Sequence, residues 1–107
     1  MTGLESRGTP APCAVVYAIN VLPAKCDSLV QAAIKTANHS LNHVPGFIEA
    51  RVLVSEDKTN VVVYAAWETR HDWSRSQWDT VIQEVQNAFH ELATKVEFKF
   101  YIRREVV

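Results

Sequence analysis

Glycine and cysteine are scarce in this sequence, and long apolar runs are missing from it. The 107 residues include 3 glycines and 2 cysteines, so the sequence has neither a glycine-rich phosphate-binding loop nor a disulfide framework. No window approaches the roughly 18 consecutive apolar residues of a transmembrane helix. The first residues, MTGLESRGTPAPC, lack the apolar segment of a signal peptide. These absences predict a cytoplasmic protein with reduced, unpaired thiols at Cys13 and Cys26.

Charge of one sign is not concentrated along the chain. The 11 Lys and Arg residues nearly balance the 12 Asp and Glu residues, giving a formal net charge of −1. Basic residues are scattered, apart from the pair Arg103 and Arg104. Nucleic-acid and lipid-headgroup surfaces need clustered basic residues. We therefore expect no nucleic-acid partner and no membrane partner.

Two of the four histidines, His39 and His43, stand four residues apart near the end of a predicted helix. This spacing can bind a metal ion, but the sequence offers no evident third ligand. Histidines near a helix C-terminus commonly interact with the terminal carbonyls and the helix dipole. The sequence therefore predicts neither a metal ion nor another cofactor.

The composition, 48% hydrophobic and 21% charged, is that of one small globular domain. Residues 1–12 contain two glycines and two prolines and have no apolar periodicity. They are expected to form a flexible N-terminal tail. The single domain is then expected to occupy residues 13–107.

Apolar patterns predict four strands and two helices. Runs of β-branched and aromatic residues indicate strands at 13–21, 47–55, 60–68 and from residue 96 onward. Apolar residues spaced by three and four indicate a first helix at 25–43. The order β-α-β-β-α-β predicts the ferredoxin-like fold of the α+β class, in which both helices cover one face of a four-stranded antiparallel sheet.

The second helix is expected to begin at one of two capping boxes, Thr69 with Asp72 or Ser74 with Gln77. Its apolar face is then formed by residues at helical spacing. These are Trp78, Val81, Ile82, Val85, Ala88, Phe89 and Leu92.

The third strand is apolar on both sides. Residues 61–67 read VVVYAAW, whereas a strand with one wet face should alternate. The helices of this chain can cover one face only, so a second copy of the sheet is the most economical cover for the other. Tyr17, Tyr64 and Tyr101 are expected to pack in such a homodimer. A monomer with a tolerated apolar patch is the alternative.

Residues 45–73, PGFIEARVLVSEDKTNVVVYAAWETRHDW, resemble the central signature of the antibiotic-biosynthesis monooxygenase family. The shared features are Pro-Gly-Phe before the second strand, a polar hairpin loop, and an aromatic-rich third strand that ends in Trp-Glu. The resemblance covers about residues 13–103. It implies a dimer whose two sheets close into an α+β barrel, with a pocket in each subunit between helices and sheet.

The resemblance is incomplete at two places. The family's cofactor-free oxygenases usually carry an asparagine four residues before the third-strand tryptophan, and Val63 stands there. The haem-degrading branch places a histidine about ten residues after that tryptophan, where this chain has Ser76 and Gln77. The first difference questions the oxygenase reaction, and the second disfavours haem.

Three residues are candidates for catalysis. Trp67 ends the third strand on the face that the resemblance turns toward the pocket, and its indole N–H can stabilise a substrate anion. Asn20 can replace the missing asparagine from a neighbouring strand, or can cap the turn before Pro23. His71 follows Trp67 and has the near-neutral pKa range of a general base for a phenol. Ordinary core packing is the alternative for Trp67.

The substrate-binding candidates are aromatic or line the same strand face. Strand alternation places Val63 on the side of Trp67. Trp73, Trp78 and Phe89 can form the wall of an aromatic-binding cavity, although core packing explains them equally well.

The sequence supports three functions. The first is a cofactor-independent monooxygenase that acts on a phenolic or polyketide-like aromatic molecule in a biosynthetic pathway. The second is a cyclase, dehydratase or isomerase that uses the same pocket without oxygen. The third is a small-ligand binding module without catalysis.

Overall fold

A computed structural model describes residues 13–102, and the predicted tail at 1–12 lies outside the described residues. Helices and strands follow one another in the predicted order, with one helix more than expected. They are β1 (Cys13–Val21), α1 (Pro23–His43), β2 (Phe47–Val54), β3 (Asn60–Trp67), α2 (Arg70–Ser76), α3 (Thr80–Leu92) and β4 (Ala93–Ile102).

The four strands form one antiparallel sheet in the order β2-β3-β1-β4. In the central pair, Cys13 lies opposite Trp67 and Asn20 lies opposite Asn60. A bulge interrupts the pairing of β2 with β3 between Phe47 and Glu49. This arrangement confirms the predicted ferredoxin-like α+β fold.

The predicted second helix is two helices, because two side chains cap separate N-termini. The hydroxyl of Thr69 accepts the backbone N–H of Asp72 at the start of α2. The carboxylate of Asp79 accepts the N–H groups of Val81 and Ile82 at the start of α3. The helix start predicted at Thr69 is therefore confirmed as an N-cap, and the continuous helix through Trp78 is wrong.

Both long helices cover one face of the sheet and bury an apolar core against it. Strand alternation along β3 is as predicted, since Val61, Val63, Ala65 and Trp67 are all buried on that face. Ile19 of β1 and Leu29 of α1 are fully buried there as well. Cys13 and Cys26 are free thiols, as predicted.

The opposite face of the sheet is covered by no element of the described chain. It presents an apolar strip that includes half-buried Val62 and Tyr64 and the exposed side chain of Leu53, 63% of which is accessible. Tyr17 is not part of this strip, because it alternates with Val15 and Ile19 and faces the helices. Its predicted position on the dimer side is wrong.

Edge strand β4 is less covered than its alternating sequence predicts. Its apolar residues face the helix side of the sheet, yet Phe98 remains 49% exposed.

No helix among residues 13–102 has the length and apolar character required to span a bilayer.

Candidate functional site

An apolar cavity of about 70 Å³ lies between the sheet, α1, α2 and α3. Small side chains from α1 and β2 leave room for it, and aromatic side chains form its ends. Its lining consists of Tyr17, Ala33, Thr36, Ala37, Ser40, Phe47, Ala50, Val63, Ala65, Trp67, Trp73, Ser76, Gln77, Ile82, Val85, Gln86 and Phe89.

Trp67 lies in this lining and is only 4% exposed. The ring of Phe47, the residue opposite it on β2, packs edge-on against the indole with 5.2 Å between centroids. The indole Nε1–H is fully buried and has no hydrogen-bond acceptor within residues 13–102. A buried donor without a partner costs about 1–3 kcal/mol, so this N–H is a strong candidate to donate to a ligand.

The two halves of the sequence signature meet beside Trp67. Gly46 has a φ of +86°, and a side chain there would overlap the carboxylate of Asp72. The carbonyl of Gly46 accepts the N–H of Glu68 at 2.8 Å. Pro-Gly-Phe and Trp-Glu therefore form one structural unit that sets the position of the indole.

Tyr17 and Trp73 form a polar contact in the cavity wall. The indole Nε1–H of Trp73 donates to the phenolic oxygen of Tyr17 at 3.1 Å. Burial raises the pKa of Tyr17, and the hydrogen bond from Trp73 offsets part of this effect. Tyr17 is therefore a neutral phenol at physiological pH.

A chain of side-chain hydrogen bonds holds Trp73 in place. Gln86 donates to the side-chain oxygen of Gln77, and Gln77 donates to the hydroxyl of Ser76 at 3.0 Å. Ser76, the buried last residue of α2, donates in turn to the carbonyl of Trp73. The break between α2 and α3 places Gln77 where it can make these contacts.

A second cavity of about 190 Å³ lies beside the first and follows β4. Five residues line both cavities, namely Tyr17, Trp73, Gln77, Gln86 and Phe89. Val96, the half-exposed Phe98 and His90 complete the second cavity. The two hydrogen-bonded pairs, Tyr17 with Trp73 and Gln77 with Gln86, therefore border both compartments.

Ionisable groups are rare around the inner cavity. Among the described residues that line it, Tyr17 is the only titratable side chain. His39 approaches from α1, but its Nε2 is bonded to Asp79 and it does not line the cavity. Within residues 13–102, no three His, Cys, Asp or Glu side chains lie close enough together to hold a metal ion.

The structure brings four of the seven predicted site residues together. Trp67, Val63, Trp73 and Phe89 all line the inner cavity. Val63 is buried at the position where the family resemblance leads us to expect an asparagine.

The other three predicted residues do not line either apolar cavity. Asn20 is exposed, because its place in β1 alternates with Tyr17 and Ile19, and it accepts a hydrogen bond from Asn60 at 2.8 Å. His71 is exposed in the first turn of α2. Trp78 lies in the link between α2 and α3, off the apolar face, and is 82% exposed.

Sequence reasoning missed Tyr17, Gln77 and Gln86 as cavity residues. The signal for Tyr17 was present, since it shares the strand parity of Val15 and Ile19. The two glutamines carried no such signal, because polar residues in a helix and in a helix link usually face solvent.

Residues 12–88 match the family model described as antibiotic biosynthesis monooxygenase. The chain belongs to this family. A monooxygenase from the gene ActVA-Orf6 of Streptomyces coelicolor, in complex with nanaomycin D, is 26% identical, with a TM-score of 0.79 and 96% of each chain covered. No functionally curated protein matches.

More distantly related solved structures have the same fold. SnoaB, a cofactor-independent oxygenase from Streptomyces nogalater, is 18% identical, with a TM-score of 0.74, and the alignment covers 91% of this chain and 97% of SnoaB. Rv0793 from Mycobacterium tuberculosis is 14% identical, with a TM-score of 0.78, 90% of this chain covered and 98% of that one. At these identities, the structural similarity supports the fold of the present chain and nothing further.

Proposed function

We propose that this protein is a cofactor-independent monooxygenase that acts on a phenolic or polyketide-like aromatic small molecule in a biosynthetic pathway. The observation that carries the proposal is the buried indole N–H of Trp67, which has no acceptor in the described part of the chain although Trp67 lines an apolar cavity. Family membership and the ligand complex of the Streptomyces coelicolor monooxygenase support it.

The proposed role of Trp67 is to stabilise an aromatic oxyanion. Loss of the acidic proton of a phenol or enol to solvent water leaves an electron-rich anion, which can pass an electron to dioxygen. An N–H donor in a low-dielectric cavity stabilises such an anion more than the same donor in water. For an anthrone-type substrate, one oxygen atom enters the ring methylene as a carbonyl. The other leaves as water with the two methylene hydrogens.

The substrate has to occupy more than the inner cavity. A volume of about 70 Å³ lies well below the roughly 300–1,000 Å³ of ordinary ligand sites. The adjacent compartment along β4 offers about 190 Å³ more and shares the aromatic walls. We expect a ligand with fused rings to extend from Trp67 past Tyr17 and Trp73 into this second compartment.

An acid–base reaction without oxygen fits the site less well. A cyclase, dehydratase or isomerase needs a general base near the reacting carbon. Asn20 and His71, the residues expected to move protons in such a reaction, do not line the cavity. The phenol of Tyr17 has a raised pKa and is therefore a poor base at neutral pH.

The proposal also includes a homodimer formed through the uncovered sheet face. Its apolar strip, with Leu53, Val62 and Tyr64, would be buried when the sheets of two copies pack as an α+β barrel. The pocket of each subunit then remains between that subunit's helices and sheet.

Oxygen uptake tests the proposed reaction. Purified protein with 1,8-dihydroxyanthrone and no added cofactor should consume oxygen faster than buffer does, and Trp67→Phe should remove most of the difference. Conversion at the same rate without oxygen would identify a non-redox enzyme. Binding without conversion would identify a ligand-binding module. A metal at one per chain, or an absorbance band above 350 nm, would contradict the cofactor-free part of the proposal.

A further inference from the structure

The phenol of Tyr17 accepts one hydrogen bond, and its O–H can donate a second. Its oxygen accepts the indole N–H of Trp73 at 3.1 Å. A phenol also carries one donor O–H, and within residues 13–102 no acceptor is bonded to it. Tyr17 lines both the inner cavity and the compartment along β4.

Trp73 orients this phenol. Its indole N–H is bonded to Tyr17 and is therefore not available to a ligand. Its backbone is bound by Ser76. Its ring is packed against Phe98 and Phe100, with centroids at 5.9 and 4.7 Å. Trp73 therefore donates to the Tyr17 oxygen and, because an indole has no acceptor atom, leaves the phenolic O–H free to donate elsewhere.

Protonation keeps the phenol a donor. Burial raises the pKa of Tyr17, so the O–H is retained at neutral pH. The surrounding lining is mostly apolar, since Ala33, Val63, Ala65 and Val85 contribute no polar side-chain atoms. A ligand oxygen is thus a suitable partner for this hydrogen.

Strand register sets the relation between Tyr17 and Trp67. Tyr17 lies directly opposite Val63 in the pairing of β1 with β3. Trp67 lies four residues farther along β3 on the same face, which is about 13 Å along the strand at 3.3 Å per residue. The backbone positions of Tyr17 and Trp67 are therefore well separated on one face of the sheet, and the buried side chains of Val63 and Ala65 lie on the same face.

We propose that Tyr17 is a second ligand-binding donor of this site, for a ligand that carries two oxygen substituents. One oxygen accepts the indole N–H of Trp67, and the other accepts the O–H of Tyr17. The inference rests on the proposed function, because it assumes that Trp67 binds a ligand oxygen. It also places a donor opposite Val63, where the chain departs from the resemblance.

The test is the affinity for 1,5-dihydroxynaphthalene compared with naphthalene, measured by equilibrium dialysis. Tyr17→Phe should weaken binding of the diol about three- to tenfold, as expected for one hydrogen bond. Binding of naphthalene should not change. Tyr101→Phe, which removes a phenolic oxygen from the opposite face of the sheet, is the matched control and should leave both affinities unchanged.

Trp67→Phe separates this inference from the proposed function. Suppose that Trp67→Phe alone weakens binding of the diol without affecting naphthalene, while Tyr17→Phe leaves both affinities unchanged. That result would contradict the donor role of Tyr17 and support the donor role of Trp67. Equal losses for diol and naphthalene in Tyr17→Phe would mean that Tyr17 acts by shape alone. Equal affinity of the unmodified protein for both probes, or no binding of either, would count against both proposals.

A measurement on the unmodified sequence covers the case in which Tyr17→Phe does not fold. The chain has three tyrosines, so labelling with 3-fluorotyrosine gives three ¹⁹F signals, which Tyr64→Phe and Tyr101→Phe assign by elimination. The diol should shift the signal of Tyr17, and naphthalene should shift it much less. Equal shifts with both probes would overturn the inference.

Discussion

Nε2 of His39 lies 2.9 Å from Oδ1 of Asp79, so a histidine of α1 donates to the carboxylate that caps α3. The same carboxylate accepts two backbone N–H groups, from Val81 and Ile82. One side chain therefore both begins α3 and joins it to α1. The hydrogen bond from His39 is the main cause that lowers the pKa of Asp79.

The stabilisation from Asp79 should depend on pH. A carboxyl whose pKa is lower in the folded state stabilises the protein fully above its unfolded pKa, about 3.9. This contribution is lost as the pH falls through the lower folded pKa. At pH 7, Asp79→Ala should lower the free energy of unfolding by about 1–2 kcal/mol.

Urea denaturation between pH 3 and pH 7 measures this effect. Asp79→Ser is the matched control, because serine keeps a capping oxygen without a titrating carboxyl. The difference between the native protein and Asp79→Ser should shrink toward pH 3. A difference that stays constant across this range would show that the carboxylate charge plays no part.

Replacement of Gly46 by alanine should destabilise the fold. Gly46 has a φ of +86°, and a Cβ there would overlap Asp72. Left-handed strain and displacement of the Asp72 side chain together should cost about 2–4 kcal/mol in the free energy of unfolding.

Asp72→Gly distinguishes the two causes at Gly46, because it also removes the Cβ of residue 72, which would lie 2.5 Å from a Cβ at residue 46. In this background the overlap is removed and the φ strain remains, so Gly46→Ala should cost about 1–2 kcal/mol. The measurement is a double-mutant cycle by thermal or urea denaturation. An equal cost of Gly46→Ala in both backgrounds would rule out the contact with Asp72 as a contributor.

Trp67→Phe should separate stability from function. The indole N–H is buried without an acceptor in the described structure, so its removal relieves a cost while the smaller ring loses packing. We expect the free energy of unfolding to change by about 1 kcal/mol or less. Turnover of the true substrate should fall on the order of tenfold or more.

Trp78→Phe is the control for Trp67→Phe, since Trp78 is 82% exposed and lines neither apolar cavity. It should change neither unfolding nor turnover measurably. If the Trp67→Phe protein is unfolded, or if its turnover is undiminished, Trp67 is a core residue without a role in the reaction.

A charge at Tyr64 should weaken self-association. Tyr64 lies in the apolar strip of the uncovered sheet face, and an unpaired carboxylate in an apolar interface costs several kcal/mol. Light scattering at micromolar concentration should give about twice the chain mass of 12.1 kDa for the native protein. Tyr64→Asp should shift it toward the monomer.

Gln31→Asp is the matched control for the interface, because Gln31 is exposed on α1. It adds the same charge away from the sheet and should leave the dimer intact. A native protein that scatters as a monomer at micromolar concentration would contradict the dimer outright.

Local patterns in the sequence determined the elements of this fold. The bounds of β1 and the buried face of β3 follow from β-branched runs and alternation, because a strand places every second side chain on the same face. The Pro-Gly-Phe signature is likewise readable, since Gly46 takes a positive φ that other residues resist.

The break after α2 and the chemistry of the cavity were decided by tertiary structure. Apolar spacing continues through Trp78, yet Asp79 caps a new helix while bonded to His39, forty residues earlier. That contact joins two segments that no local pattern relates. Trp78 lies in the exposed link beside this cap, and Gln77 accepts a hydrogen bond from Gln86.

Whether a polar group has a partner is likewise a property of the folded chain. The sequence supported a core role and a donor role for Trp67 equally, and it led to the wrong face for Tyr17. Only packing brings Trp73 to Tyr17 and leaves the indole of Trp67 without an acceptor among the described residues. Hydrogen-bond partners 56 residues apart in sequence are set by the register of strands and the docking of helices, which local propensity does not encode.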